Sequence, residues 1–306
     1  MMNEATWNVP PPGVGRAVTA MVSPFKQDGS LDVEGGAKLA DHLVNNGTDT
    51  ILINGTTGES PTVHFEETWE LYRAVRNSIG DRGTVIVGTG SNDLTKTLAA
   101  TERAEEEGAD AVLVVTPYYN RPSQRMLVHY YRTVAESTSL PVVLYDVPSR
   151  TGCTIEVPTY VQLAAIPNIV GVKDATGNIG KAGDILAATR GTHGGFVLWS
   201  GSDEMNLPLL AIGAVGVVSV SAHLVGPEIA AMIDALPHDL VRAQDLHVRC
   251  MRLHRSLFQE TSPAPLKGAL NALGLPAGPV RPPIMDALPD TVSDVLSALE
   301  PIEASR

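Results

Sequence analysis

Ile169-Val170-Gly171-Val172-Lys173-Asp174-Ala175-Thr176-Gly177 reads as a buried strand that ends on a lysine and passes at once into a polar turn. The stretch decides the fold because it belongs to a series. Comparable runs, AVTAMVSPF, TILING, TVIVGTG, AVLVVTP, PVVLYDVP, IVGVKDAT, FVLWSGSD and GVVSVSAH, begin near positions 17, 50, 84, 111, 141, 169, 196 and 216. They are apolar on both alternating faces, as parallel strands covered on two sides must be. A polar turn and a helical pattern follow each run. Eight such units, spaced by about 20 to 35 residues, predict an α/β fold of the (β/α)8 TIM-barrel type. The alternative is a doubly wound open sheet, but no Gly-x-Gly-x-x-Gly opens the first unit.

Helical patterns at 32–46, 66–79 and 94–107 each close on a glycine, at Gly47, Gly80 and Gly108, where a left-handed residue ends a helix. Further patterns cover 123–137, 159–165, 179–188, 204–212 and 227–236, and three more lie beyond the eighth unit at 239–258, 265–273 and 291–299. The expected organisation is a loose Pro-rich leader over 1–15, a barrel over 16–236 and a small helical region over 237–306.

Composition narrows the function. A 306-residue chain with 43% hydrophobic and 18% charged residues is long enough for a sizeable core and is not a disordered sequence. Net charge is −12 and no dense Lys/Arg stripe occurs, which argues against a nucleic-acid partner. No apolar run is long enough to span a bilayer, and the N-terminus lacks the basic and apolar regions of a secretory signal. Two distant cysteines, Cys153 and Cys250, form no disulfide framework and suit a reducing cytoplasm. The eight histidines, at 42, 64, 129, 193, 223, 238, 247 and 254, form no metal-binding spacing. Gly-x-Ser-x-Gly and Walker A loops are absent too.

A barrel carries its chemistry at the C-terminal ends of its strands. Those ends are chemically loaded here: Gly55-Thr56-Thr57-Gly58-Glu59-Ser60 after the second strand, Thr116-Pro117-Tyr118-Tyr119-Asn120 after the fourth, Tyr145-Asp146-Val147-Pro148-Ser149-Arg150 after the fifth, Lys173 on the sixth and Ser200-Gly201-Ser202-Asp203 after the seventh. Of six lysines, only Lys173 joins an apolar run to a strand-end position. Burial favours the neutral form of an amine, and a neutral amine attacks a ketone to form a Schiff base. Taken alone, Lys173 would be read as a solvated surface lysine; its setting argues otherwise. Tyr145, one strand away, and Thr56 and Tyr119 supply hydroxyl groups for proton transfer. The glycines around Thr56-Thr57 allow close backbone approach to a small anion. Arg150 offers a guanidinium suited to a carboxylate.

The motifs GTTGES at 55–60, TPYYNRPSQ at 116–124, YDVPSRTG at 145–152 and VKDATG at 172–177 together resemble the dihydrodipicolinate synthase family of aldolase-type lyases, also called 4-hydroxy-tetrahydrodipicolinate synthases. The resemblance spans the chain from about Ala17 into the C-terminal helices. It implies a Schiff base between Lys173 and pyruvate, with no separate cofactor. It implies a proton relay of Tyr145, Thr56 and Tyr119, the last lent across a tight dimer interface within a homotetramer. Thr56 and Thr57 would line the pyruvate carboxylate site. Gly201 and Val218 would present carbonyl groups near the lysine. Arg150 would bind the carboxylate of L-aspartate 4-semialdehyde, in the first committed step toward diaminopimelate and lysine. The wider superfamily, which includes N-acetylneuraminate lyase and sugar-acid aldolases and dehydratases, shares the lysine, the Gly-Thr-Thr-Gly-Glu loop and the tyrosine. Arg150 with Tyr118-Tyr119 favours a short anionic aldehyde. A non-catalytic keto-acid sensor would be expected to lack the lysine or the tyrosines, and both are present.

One departure bears on regulation. The positions that resemble the family's lysine-binding site keep Ser60, Asn92 and Tyr118. They carry Phe65 and Thr68 where histidines are usual, and Lys96 where a glutamate would receive the ligand's ammonium. A lysine there repels a cationic ligand, so weak or absent feedback inhibition by lysine is expected.

Overall fold

Each apolar run forms a strand. In the computed structural model, which describes residues 9–192 and 195–304, the strands are β1 (Ala17–Ala20), β2 (Thr50–Ile53), β3 (Thr84–Gly88), β4 (Ala111–Val115), β5 (Val142–Asp146), β6 (Ile169–Asp174), β7 (Val197–Ser200) and β8 (Gly216–Ser219). They pair in sequence order into a closed parallel barrel, the TIM-barrel topology expected from the eight units. Their residues are almost all buried, which is why the runs lack a polar face.

The helices are α1 (Val33–Asn45), α2 (Phe65–Ile79), α3 (Leu94–Glu106), α4 (Gln124–Glu136), α5 (Pro148–Thr151), α6 (Val157–Leu163), α7 (Ile179–Thr189), α8 (Asn206–Ala211), α9 (Ala222–Ala235), α10 (Leu240–Ser256), α11 (Ala264–Ala272) and α12 (Pro289–Glu303). Side-chain caps start several of them: Asp32, Asp93, Asn178 and Asp239 each accept a bond from a first-turn N–H. Gly47 and Gly108, just past α1 and α3, take φ of 88° and 78°, the left-handed geometry expected of them. Two elements differ from expectation. Residues 148–151 form a helical turn rather than a plain loop, because Pro148 presets the first position and Gly152, at φ 71°, closes it. Helix α9 starts at Ala222, ahead of the expected Pro227, and is kinked at Val225 where the proline interrupts the backbone ladder. Among the described residues no helix is long and apolar enough to cross a membrane.

The chain divides into two compact units. One comprises Ile86–Val218 with the residues up to Arg16; the other comprises Ala17–Val85 with the residues from Ser219. In the second, α11 is tied to the turn after β2 by a buried ion pair between Lys267 and Glu59. In the first, the end of the expected leader is fixed. Val14 is buried, and the Gly15 carbonyl accepts a 2.8 Å bond from the Trp199 indole. Residues 1–8 of that leader lie outside the described residues.

The feature that sets the site lies between β5 and β6. Val142 pairs with Ile169, but Val143 pairs with Gly171, so Val170 is an extra residue in β6. Without it, the register starting at Val142–Ile169 would put Tyr145 opposite Val172. With it, Tyr145 stands opposite Lys173 and Leu144 opposite Val172. Side chains alternate faces, so one residue of shift decides which face the lysine takes. Gly171 makes room for this bulge: a Cβ there would fall on the Val197 carbonyl oxygen and lie 2.8 Å from the Trp199 ring. Gly171→Ala is therefore expected to destabilise the fold by about 1–3 kcal/mol, the usual effect of overpacking; an unchanged denaturant midpoint would contradict this account.

Candidate active site

Lys173 is the next-to-last residue of β6, paired in register with Tyr145 on β5 and Trp199 on β7. Its side chain is 5% exposed, and its Nζ lies over the Tyr145 ring, 4.3 Å from the ring centre. Tyr145 is itself buried and its backbone is held from β4: the Thr116 N–H and hydroxyl both donate to the Tyr145 carbonyl at 2.9 Å. Gly201, just beyond β7, donates its N–H to the Asp174 carbonyl at 2.7 Å. A Cβ at Gly201 would stand 3.0 Å from Lys173 Cγ, so the missing side chain leaves the lysine stem its path. Val218 is buried within β8.

Of the predicted residues in this unit, Lys173 and Tyr145 are brought into contact, and Gly201 lies beside the Lys173 stem. Tyr119 and Arg150 instead stand on the surface. Tyr119 is 91% exposed and has φ of 72°, a left-handed backbone for a large aromatic residue. Asn120 donates to the Asn92 carbonyl and Arg121 to the Gly152 carbonyl, at 2.9 and 3.0 Å, which ties this loop just beyond Tyr119. Arg150 is exposed on α5.

Thr56 and Thr57 belong to the other compact unit. They sit in a turn after β2 in which Ser60 N–H donates to the Gly55 carbonyl and Glu59 N–H to the Thr56 carbonyl, at 3.3 and 3.1 Å. Ser23 donates its hydroxyl to the Gly58 carbonyl at 2.7 Å. Thr57 is buried and Thr56 half-buried.

Several residues with structural roles near these positions were not singled out by sequence. Asp146 and Asp174 directly follow Tyr145 and Lys173 and are paired in register. Alternation puts them on the opposite face from Tyr145 and Lys173, and both are buried. One oxygen of Asp146 accepts from Thr154 Oγ1, Ile155 N–H, Tyr160 OH and Lys181 Nζ at 2.8, 3.1, 3.0 and 2.8 Å. The chain that follows Arg150 is thereby held to the end of β5. Asp174 Oδ1 accepts the Thr176 N–H at 2.7 Å, whereas Oδ2 has no hydrogen-bond partner. Burial pushes the Asp174 carboxyl up; bonds from Thr176 oppose this, Asp146 adds to it and Lys181 reduces it. The available signal was the alternation itself, since two acids beside two strand-end catalytic candidates must face helices and need donors.

Among the described residues, no three His, Cys, Asp or Glu side chains are grouped to hold a metal ion. His193, one of the scattered histidines, lies outside the described residues.

A parallel (β/α)8 barrel with a buried lysine in contact with a tyrosine at adjacent strand ends defines a class: barrel enzymes able to hold a carbonyl substrate on an amine. Residues 13–301 match the dihydrodipicolinate synthetase family, and the chain belongs to that family. A 4-hydroxy-tetrahydrodipicolinate synthase of Moorella thermoacetica is 43% identical over 287 residues, covering 94% of this chain and 97% of that protein. One of Acidothermus cellulolyticus is 46% identical, covering 94% and 92%. Among solved structures, dihydrodipicolinate synthase of Cyanidioschyzon merolae with lysine bound is 40% identical with a TM-score of 0.89, covering 94% of this chain and 97% of that one. The enzyme from Bacillus anthracis is 42% identical with a TM-score of 0.89 and the same coverage.

The Asp174 environment yields a stability test. A carboxyl whose pKa is raised by folding contributes stability that is complete below the ordinary carboxylate range and is lost as pH rises through the folded value. Asp174→Asn should therefore gain stability over the parent from about pH 4 upward, with the gain largest near neutrality. Thermal melts across that range check it; a gain independent of pH would remove the assigned cause.

Proposed function

We propose that this enzyme condenses pyruvate with L-aspartate 4-semialdehyde, the 4-hydroxy-tetrahydrodipicolinate synthase reaction of the lysine and diaminopimelate branch, through a Schiff base on Lys173. The observation that carries the reading is the buried Lys173 amine set against the Tyr145 ring, in a chain whose relatives bear that name over nearly their full length.

Lys173 Nζ adds to the pyruvate ketone, and the carbinolamine loses water to give the imine. Loss of a methyl proton gives the enamine, whose carbon attacks the aldehyde of the second substrate. The substrate's own amine then adds to the imine carbon and expels Lys173, which closes the ring and frees the enzyme. The iminium is the electron sink, so the chemistry needs no bound cofactor. Each step moves a proton, and we assign that transfer to Tyr145, Thr56 and Tyr119. Thr56 and Thr57 hold the pyruvate carboxylate, Gly201 and Val218 offer carbonyl groups, and Arg150 takes the carboxylate of the aldehyde substrate. The near-complete exposure of Tyr119 on a left-handed backbone supports a role completed by a second copy of the chain, in a dimer or a tetramer built of dimers. A cytoplasmic location fits two cysteines, Cys153 and Cys250, that form no disulfide.

Borohydride reduction in the presence of pyruvate should leave a covalent adduct on Lys173 that peptide mass spectrometry locates and that Lys173→Ala lacks; an unmodified lysine would refute the mechanism. We also propose that lysine inhibits weakly or not at all. Lys96 is exposed on α3 and Thr68 is buried in α2, where the resemblance leads one to expect a glutamate and a histidine. Titration with lysine during turnover tests this, and normal inhibition at sub-millimolar lysine would end the proposal.

A further inference from the structure

The turn that carries Thr56 and Thr57 lies between two non-glycine residues in left-handed geometry, Asn54 at φ 53° and Glu59 at φ 56°. Such backbone is unfavourable for a residue with a Cβ and persists only where its surroundings over-determine it. Glu59 is over-determined. Its side chain is buried, with Oε1 taking Lys267 Nζ at 2.7 Å and Oε2 taking the Arg281 N–H at 2.8 Å. Its own N–H donates to the Thr56 carbonyl at 3.1 Å, and its carbonyl accepts from the Thr62 N–H and hydroxyl at 2.9 and 3.1 Å.

The partners of Glu59 are fixed in turn. Lys267, 1% exposed on α11, also donates to the Pro279 carbonyl at 2.7 Å and lies 4.2 Å from the Phe25 ring centre. The Arg281 guanidinium lies 4.0 Å from the centre of the same ring and grips Glu67 with two bonds of 2.7 and 2.6 Å. It also donates to the carbonyls of Thr62 and Gly29, at 2.6 and 2.9 Å. The charged end of Glu59 is thus the meeting point of α11, the 279–281 segment and the turn after β2.

A buried ion pair of this kind is a poor source of stability, because desolvating both ions offsets their attraction. Burial pushes the Lys267 amine down, and Glu59 only opposes that shift. What the pair does supply is geometry. We propose that Glu59 and Lys267 are positioning residues that set the Thr56 and Thr57 hydroxyl groups for the pyruvate carboxylate. Neither touches the substrate; they act through the Glu59 N–H on the Thr56 carbonyl. The inference rests on the pyruvate reading above.

The test uses Glu59→Gln, Lys267→Met and the double variant, with separate KM values for pyruvate and for the aldehyde, kcat and thermal melting. Each single variant leaves one buried charge or acceptor without its partner and should melt below the parent. The double variant carries no uncompensated charge and should melt near the parent. All three should raise the pyruvate KM by about tenfold, the scale of a small misplacement of a binding group, while the aldehyde KM moves by less than about twofold. A general loss of folded protein would lower apparent kcat and leave both KM values in place. A double variant that keeps the parent's pyruvate KM, that melts well below the parent, or that raises both KM values alike overturns the proposal. If the single variants do not fold, the double variant alone decides between these outcomes. Borohydride trapping of pyruvate on the unaltered enzyme is run alongside: without an adduct the pyruvate reading itself falls, and this proposal with it.

Discussion

Strand register is the constraint on which the site depends. A strand presents successive side chains to opposite faces, so a residue at its end enters the barrel or faces the helices according to a count of one. The extra residue at Val170 settles that count for β6. It aligns Lys173 with Tyr145 and, one step on, Asp174 with Asp146. The reactive pair and the acidic pair are consequences of a single pairing. Gly171 supplies the space that lets the bulge exist against β7.

The two buried polar clusters do parallel work on separate loops. Behind β5, Asp146 gathers Lys181, Tyr160 and the backbone at 155, and so anchors the chain that follows Arg150. After β2, Glu59 gathers Lys267 and the backbone of Arg281, and so anchors the turn that bears Thr56 and Thr57. In both, one carboxylate draws donors from distant segments. Buried charge is costly to keep unless it is paired and hydrogen-bonded. Its presence beside mouth loops fits a requirement for loop geometry more than a requirement for stability.

Much of this was legible beforehand. The eight strand runs, the helical patterns between them and the strand-end position of Lys173 are local properties: period, run length and turn residues. The barrel topology follows from their order and number. The motifs around Thr56, Tyr119, Tyr145 and Lys173 pointed to the family that the whole-length match identifies. The helical turn at 148–151 and the early, kinked start of α9 were less legible. In each a proline marked a break that the backbone instead absorbs within a helix.

By itself, then, the sequence determined the barrel, the strand-end lysine and the chemistry its neighbours suit, because those depend on patterns within a few residues. Only the tertiary structure decided that Lys173 meets the Tyr145 ring, since a one-residue bulge leaves no periodic trace in a run apolar on both faces. Only it decided that Lys267, which sequence left unassigned, is buried against Glu59 from 208 residues away. A pairing across that distance is made by packing, and no local pattern encodes it.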